Sequence, residues 1–190
     1  MRRGVVQVFR FLRYVLSVTN EAFVVNSEAM MVSEVQVRDA RVGDAKAITA
    51  LWRELMELHC RLDSRFVVSV EGEREYLRHV VRMIRTRDAR VLVSEELGSG
   101  RLVGYVVGEM QFRPYGGVSG RYGFIADIYV RESFRKRGIG REMVKTLQVW
   151  FVARKAVAIE LYVSVVNADS QAFWRSLGME PFLCLMHRDL

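Results

Sequence analysis

Apolar and polar residues alternate in "VQVRDA" at 35–40, the period-two pattern of a half-buried strand. From Ala45 the period lengthens. Ile48, Leu51, Trp52, Leu55, Leu58 and Leu62 recur at helical spacing, with Asp44 placed to cap the helix they define. A second helix is predicted over 71–86, with Tyr76, Leu77, Val80, Val81 and Ile84 on its buried side. "ARVLVSEE" (89–96) and "LVGYVVGEMQF" (102–112) read as strands of a hairpin that turns at Gly98 and Gly100. "RPYGGVSGRYG" is loop chemistry, and "FIADIYV" (124–130) is a strand. A helix is predicted from Gly138 to about 155, burying Ile139, Met143, Leu147, Trp150 and Phe151. "AIELYVSVV" (158–166) reads as a strand, 168–178 as a short helix closed by Gly178, and "FLCLMHRDL" (182–190) as a last strand.

This order implies an α/β chain with a mixed sheet and helices on its faces, because hairpins dominate the middle and helical crossovers the end. The chain has 190 residues, enough for one domain with a substantial core. Residues 1–33 read as a separate basic and apolar extension before a domain at 34–190. Arg10 and Arg13 interrupt the apolar stretch, and no small-residue cleavage site is clear, so a signal peptide is not expected. A membrane-surface or partner-binding segment, an added strand or helix, and a start codon upstream of the native one near Met30 and Met31 stay open. No run of 18 apolar residues predicts a membrane span, and a cytoplasmic location is expected.

The net charge is +7, with 25 Arg against 4 Lys. That suits an anionic ligand, an acidic partner or nucleic acid. Basic and aromatic residues are not interleaved densely enough to favour nucleic acid. Cys60 and Cys184 match no metal or redox spacing, so two reduced thiols and no metal are expected. His59 reads as a structural or surface histidine ahead of a catalytic one.

"RKRGIGREMV" (135–144) follows the strand "FIADIYV" directly. A helix starting there presents free N–H groups and its positive dipole end to an anion. Glycine removes the Cβ from the approach, and the flanking Arg and Lys add charge. A tight strand-to-helix corner is the plain alternative. The third glycine of a dinucleotide fingerprint is missing, and so is the Gly-Lys-Ser/Thr ending of a P-loop.

Arg135-x-x-Gly138-x-Gly140 resembles the Gln/Arg-x-x-Gly-x-Gly/Ala signature of the GNAT (GCN5-related N-acetyltransferase) superfamily. "NADSQAFWRSLGM" resembles its second signature, with Asn167, Phe173, Trp174, Gly178 and Met179 at the matching positions, and "VRDARVGDAKAITAL" resembles its opening. The resemblance covers about residues 34–190 and implies a mostly antiparallel sheet of six to seven strands with about four helices. It implies acetyl-CoA as co-substrate, with the pyrophosphate on the backbone of Lys136, Arg137, Gly138, Ile139, Gly140 and Arg141, and with Arg135 a further cofactor-binding residue. The pantetheine arm would pair with Ile128, Tyr129 and Val130 as an added strand. Asn167 would contact the same arm, with a helix cap as its other role, and Trp174 is a further cofactor-binding candidate.

The reaction so implied is direct acetyl transfer to an amine of a small molecule or peptide, with a homodimer left open. Asp127 is the first candidate base and Glu109 the second, with a salt bridge to arginine as the competing role for Asp127. The family commonly carries a Tyr at the position of Trp174, whose indole N–H does not release its proton near neutrality. Another group, water or direct thiolate departure would then replace it. Tyr162 is a candidate donor, or a packed strand residue. Phe66, Tyr115 and Tyr122 are candidates for an apolar mouth. A CoA-binding module without transferase activity is the alternative function.

Overall fold

The computed structural model describes residues 35–113 and 120–188. The N-terminal extension, Tyr115 and the loop at 114–119 lie outside the described residues. Five strands form one sheet in sequence order: β1 Val35–Asp39, β2 Ala89–Glu96, β3 Leu102–Arg113, β4 Gly120–Val130 and β5 Ile159–Leu161. Neighbours are antiparallel except β4 and β5, which are parallel. Helices α1 Ala45–Leu62 and α2 Val70–Arg85 cover one face. Helix α3 Ile139–Ala153 covers the other, joined by Trp174 of α4 Ala168–Arg175.

Each face has its own apolar core, as the alternation of strand side chains requires. Ile48, Leu51 and Val80 pack on Val91, Val93, Tyr105 and Val107. Met143, Leu147 and Phe151 pack on Leu92, Val103, Val106 and Ile125. Two strand glycines make room for α3. A Cβ at Gly123 would lie 2.5 Å from the Phe151 ring, and one at Gly108 would lie 2.9 Å from Leu147.

Three local expectations are corrected. Asp44 does not cap α1 with its side chain. Its carboxylate accepts from the Arg41 N–H (2.7 Å) and from both terminal nitrogens of Arg38 (2.8 and 3.1 Å). A bidentate, charge-assisted pair outcompetes a helix amide, and the Arg38 guanidinium holds the Asp44 carboxyl below its usual range. Leu62 is 39% exposed, because the last turn of α1 outruns its packing. The strands expected over 158–166 and 182–190 shrink to β5 alone among the described residues. A strand persists only where a neighbour takes its hydrogen bonds. Past Leu161 the chain leaves β4, and Tyr162 (80% exposed) and Val165 (76%) face solvent.

Candidate active site

The site begins where β5 parts from β4. Their ladder covers only Gly123, Phe124 and Ile125 against Ile159, Glu160 and Leu161. Beyond it, among the described residues, one edge of β4 has no strand partner up to Val130. Arg131 donates its amide to Val103 on β3 (2.8 Å). By alternation, Tyr129 and Asp127 also direct their backbone groups to β3, and Ile128 and Val130 direct theirs to the free edge. Of the three residues expected to pair with an extended ligand, two therefore offer amides there. Tyr129 is held in the ladder opposite Tyr105.

The edge runs straight into the glycine turn. Lys136 (φ 60°) and Gly138 (φ 83°) both occupy the left-handed region, so two of three consecutive positions are reversed before the helix starts. No side chain caps α3 at Gly138, and the first intrahelical bond is Glu142 N–H to Gly138 C=O (3.0 Å). The amides of Ile139, Gly140 and Arg141 precede that bond and have no carbonyl four residues back in the helix. A Cβ built at Gly138 meets nothing within 4 Å, so the turn itself is open at that position. Gly140 has a different reason: its Cβ would press on the Phe173 ring at 3.3 Å. A diphosphate needs donors, positive charge and room, and the residues present supply all three.

The basic side chains are arranged rather than merely near. The Arg135 Nε–H donates to Val130 C=O (2.9 Å), and its guanidinium lies 5.5 Å from the Tyr129 ring centre. Arg137 lies over Phe134 at 5.2 Å. Arg141 donates to Ser176 Oγ (3.1 Å), tying the start of α3 to the end of α4. Asn167 Oδ1 accepts from Ser170 N–H (3.0 Å), so its capping role is realised. Trp174 is 5% exposed and packed in the α3-side core. A large apolar ring next to a well-filled core is buried there, and it supplies packing.

Asp127 owes its position to a bulge. Val107 pairs with Asp127 but Gly108 pairs with Ile125, which leaves Ala126 unopposed. Regular alternation would put Asp127 on the α3 side with Ile125. The extra residue turns it to the α1–α2 side instead, where Tyr76 Oη–H donates to Asp127 Oδ2 (3.0 Å). Among the described residues its partner is thus a tyrosine, not an arginine. Burial raises the Asp127 pKa; the Tyr76 bond and His79 lower it, and Glu109 raises it. Glu109 stands opposite Phe124 in the β3–β4 ladder on that same face. The Tyr162 ring meets Phe124 edge-on (5.4 Å), with its phenol in solvent rather than packed in a strand.

Around this group, Tyr122 Oη–H donates to Gln111 Oε1 (2.7 Å) and His59 lies against Phe66 (4.9 Å), with burial lowering the His59 pKa. Sequence reasoning missed Tyr76, Glu54 and Arg131. Glu54 on α1 accepts from Arg131 (2.8 Å) and from Tyr129 Oη–H (3.3 Å), pinning the end of β4 to α1. A tyrosine on an otherwise apolar helix face needs a partner for its hydroxyl, and that was the available signal for Tyr76. Among the described residues, no three His, Cys, Asp or Glu side chains are placed to hold a metal ion, and no helix is long and apolar enough to cross a membrane.

The profile described as Acetyltransferase (GNAT) family matches residues 51–179. No curated protein sequence matches the chain. Among solved structures, a tetramutant of the BH1408 protein from Bacillus halodurans is 24% identical, with TM-score 0.71 over 82% of this chain and 99% of that one. Aminoglycoside N-acetyltransferase AAC(6')-Iy in complex with CoA is 16% identical, with TM-score 0.65 over 82% and 94% of the two chains. Glucosamine-6-phosphate N-acetyltransferase from Arabidopsis thaliana is 20% identical, with TM-score 0.62 over 82% and 97%.

Proposed function

The chain belongs to the Acetyltransferase (GNAT) family and is an acyltransferase, and from that premise we propose that it transfers acetyl from acetyl-CoA directly to the primary amine of a small molecule or peptide N-terminus. The observation that carries the reading is the continuity of the free β4 edge with the uncapped start of α3, with a carboxylate of raised pKa beside that edge.

The amides of Ile139, Gly140 and Arg141 would hold the diphosphate, with Lys136 and Arg137 adding charge. Ile128 and Val130 would pair with the amides of the pantetheine arm. Arg135 already donates to the Val130 carbonyl, so a ligand amide would share that oxygen with the guanidinium or displace it. Acetyl-CoA supplies an acetyl group already activated as a thioester. The chain's own task is then to present a neutral amine to it. An ammonium has no lone pair, so a proton must leave first, and Asp127 would be the group that takes it. Glu109 on the same face adds negative charge that attracts a cationic amine and raises the basicity of Asp127. An N–H on the free edge, from Ile128 or Val130, is the donor toward the developing oxyanion. With Trp174 in the core, the departing thiolate takes its proton from water or from the Tyr162 phenol at the mouth.

Thiol release from acetyl-CoA over a panel of amines tests the reading. At least one amine should be turned over, and Asp127→Asn should abolish most of that rate. The wild-type rate should fall as pH drops through the Asp127 pKa, since the base works only when ionised. Binding of CoA with no turnover of any amine would favour a binding module instead.

A further inference from the structure

The Asp127 carboxylate has a fixed partner that the transfer reaction itself does not require. Tyr76 donates its O–H to Asp127 Oδ2 at 3.0 Å, across 51 residues of chain. The Tyr76 ring cannot drift. It is 8% exposed and stacks on Trp52 of α1 with ring centres 4.5 Å apart and planes 11° from parallel. Two helices therefore aim one hydroxyl at the one carboxylate that the Ala126 bulge turns toward them. Behind it lies the buried Tyr105 hydroxyl, whose pKa burial and the Asp127 charge raise.

We infer that Tyr76 is a positioning residue that orients the Asp127 carboxylate and stabilises its ionised form through the hydrogen bond it donates. The inference rests on the reading of Asp127 as the base. The other charged or titratable groups facing Asp127 are His79 from α2, and Glu109 and Tyr105 from β3. Glu109 opposes ionisation, His79 favours it at a distance, and α1 contributes the neutral Trp52. Among the described residues, only Tyr76 bonds the carboxylate directly. A donor to the charged form lowers an acid's pKa. Tyr76→Phe keeps the ring and its stack on Trp52 but removes the donor, so the Asp127 pKa must rise. A hydrogen bond to a charged group corresponds to a shift of about one to two pH units.

The test is a carbon-13 titration of the full chain labelled at aspartate carboxyls, with the Asp127 signal assigned as the one missing from Asp127→Asn. The expected result is a midpoint raised by at least about one unit in Tyr76→Phe. Urea unfolding of Tyr76→Phe checks that the stack and the fold remain. Tyr76→Trp, whose indole N–H offers a donor on a larger ring, and Tyr76→Leu, which has none, provide a second comparison should the phenylalanine variant unfold. An unchanged midpoint in a folded donor-less variant overturns the inference. Failure of the base reading looks different: Asp127→Asn would keep its thiol-release rate, whatever the titration shows.

Discussion

Gly138→Ala separates two reasons for a glycine that sequence alone cannot distinguish. Gly138 sits at φ 83°, and a Cβ there meets nothing within 4 Å. The cost to the free protein is therefore conformational, not steric. Holding an ordinary L-residue in the left-handed region costs about 1–2 kcal/mol. For a domain of this size that is a fall in Tm of about 2–8 °C. Asparagine tolerates this conformation better, so Gly138→Asn should recover part of the loss. Ligand affinity is the second readout. Displacing one amide from a charged diphosphate forfeits about 1.5–3 kcal/mol, or about ten- to a hundredfold in Kd. Gly138→Val, whose branched Cβ suits this conformation least, should lose most. Calorimetric unfolding and isothermal titration with CoA measure both quantities. An alanine variant as stable as the parent would refute the conformational argument, and one that binds CoA normally would refute the placement of the cradle.

Gly123→Ala should destabilise by about 1–3 kcal/mol in urea unfolding, since the new methyl drives into the buried Phe151 ring. Phe151→Leu in the same background should return part of that loss, and strict additivity would contradict the packing account. Asp127 has a folded pKa above its unfolded value, so its ionisation stabilises the unfolded chain. Its contribution is intact at pH below the unfolded value of about 3.9 and is lost as pH rises through the folded pKa. Asp127→Asn should thus gain stability on the parent between about pH 4 and neutrality, and parallel pH curves would contradict this. Asn167→Ala removes the bond to Ser170 N–H, a loss of about 1 kcal/mol or about 2–4 °C in Tm. Its CoA affinity should fall as well; unchanged affinity would confine Asn167 to capping.

The elements that bury a face were legible in the sequence. Period placed α1, α2, α3 and the β2–β3 hairpin to within a few residues, because each carries enough apolar side chains to report its own geometry. The glycine turn was legible for the same local reason. What failed depended on neighbours. "ELYVSVV" has strand composition throughout, yet β5 stops at Leu161 where β4 ceases to pair with it. Asp44 looked like a cap until the fold brought Arg38 beside it. Asp127 stood out as a carboxylate in an apolar strand, but the bulge at Ala126 that decides its face is a two-strand property. Tyr76 reads as one more apolar-face residue until Asp127 lies across from it. Trp174 occupies the position of a family tyrosine, and only packing shows that it faces inward.

The central claim is that a diphosphate sits on the first amides of α3 with its arm along the free edge of β4. Nitrogen-15 amide shifts during titration of the full chain with CoA test it directly. The largest shifts should fall on Ile139, Gly140 and Arg141, with Ile128 and Val130 moving more than Tyr129, whose amide faces β3. Saturable binding that leaves the α3 amides unshifted, or no binding at millimolar CoA, would contradict the account.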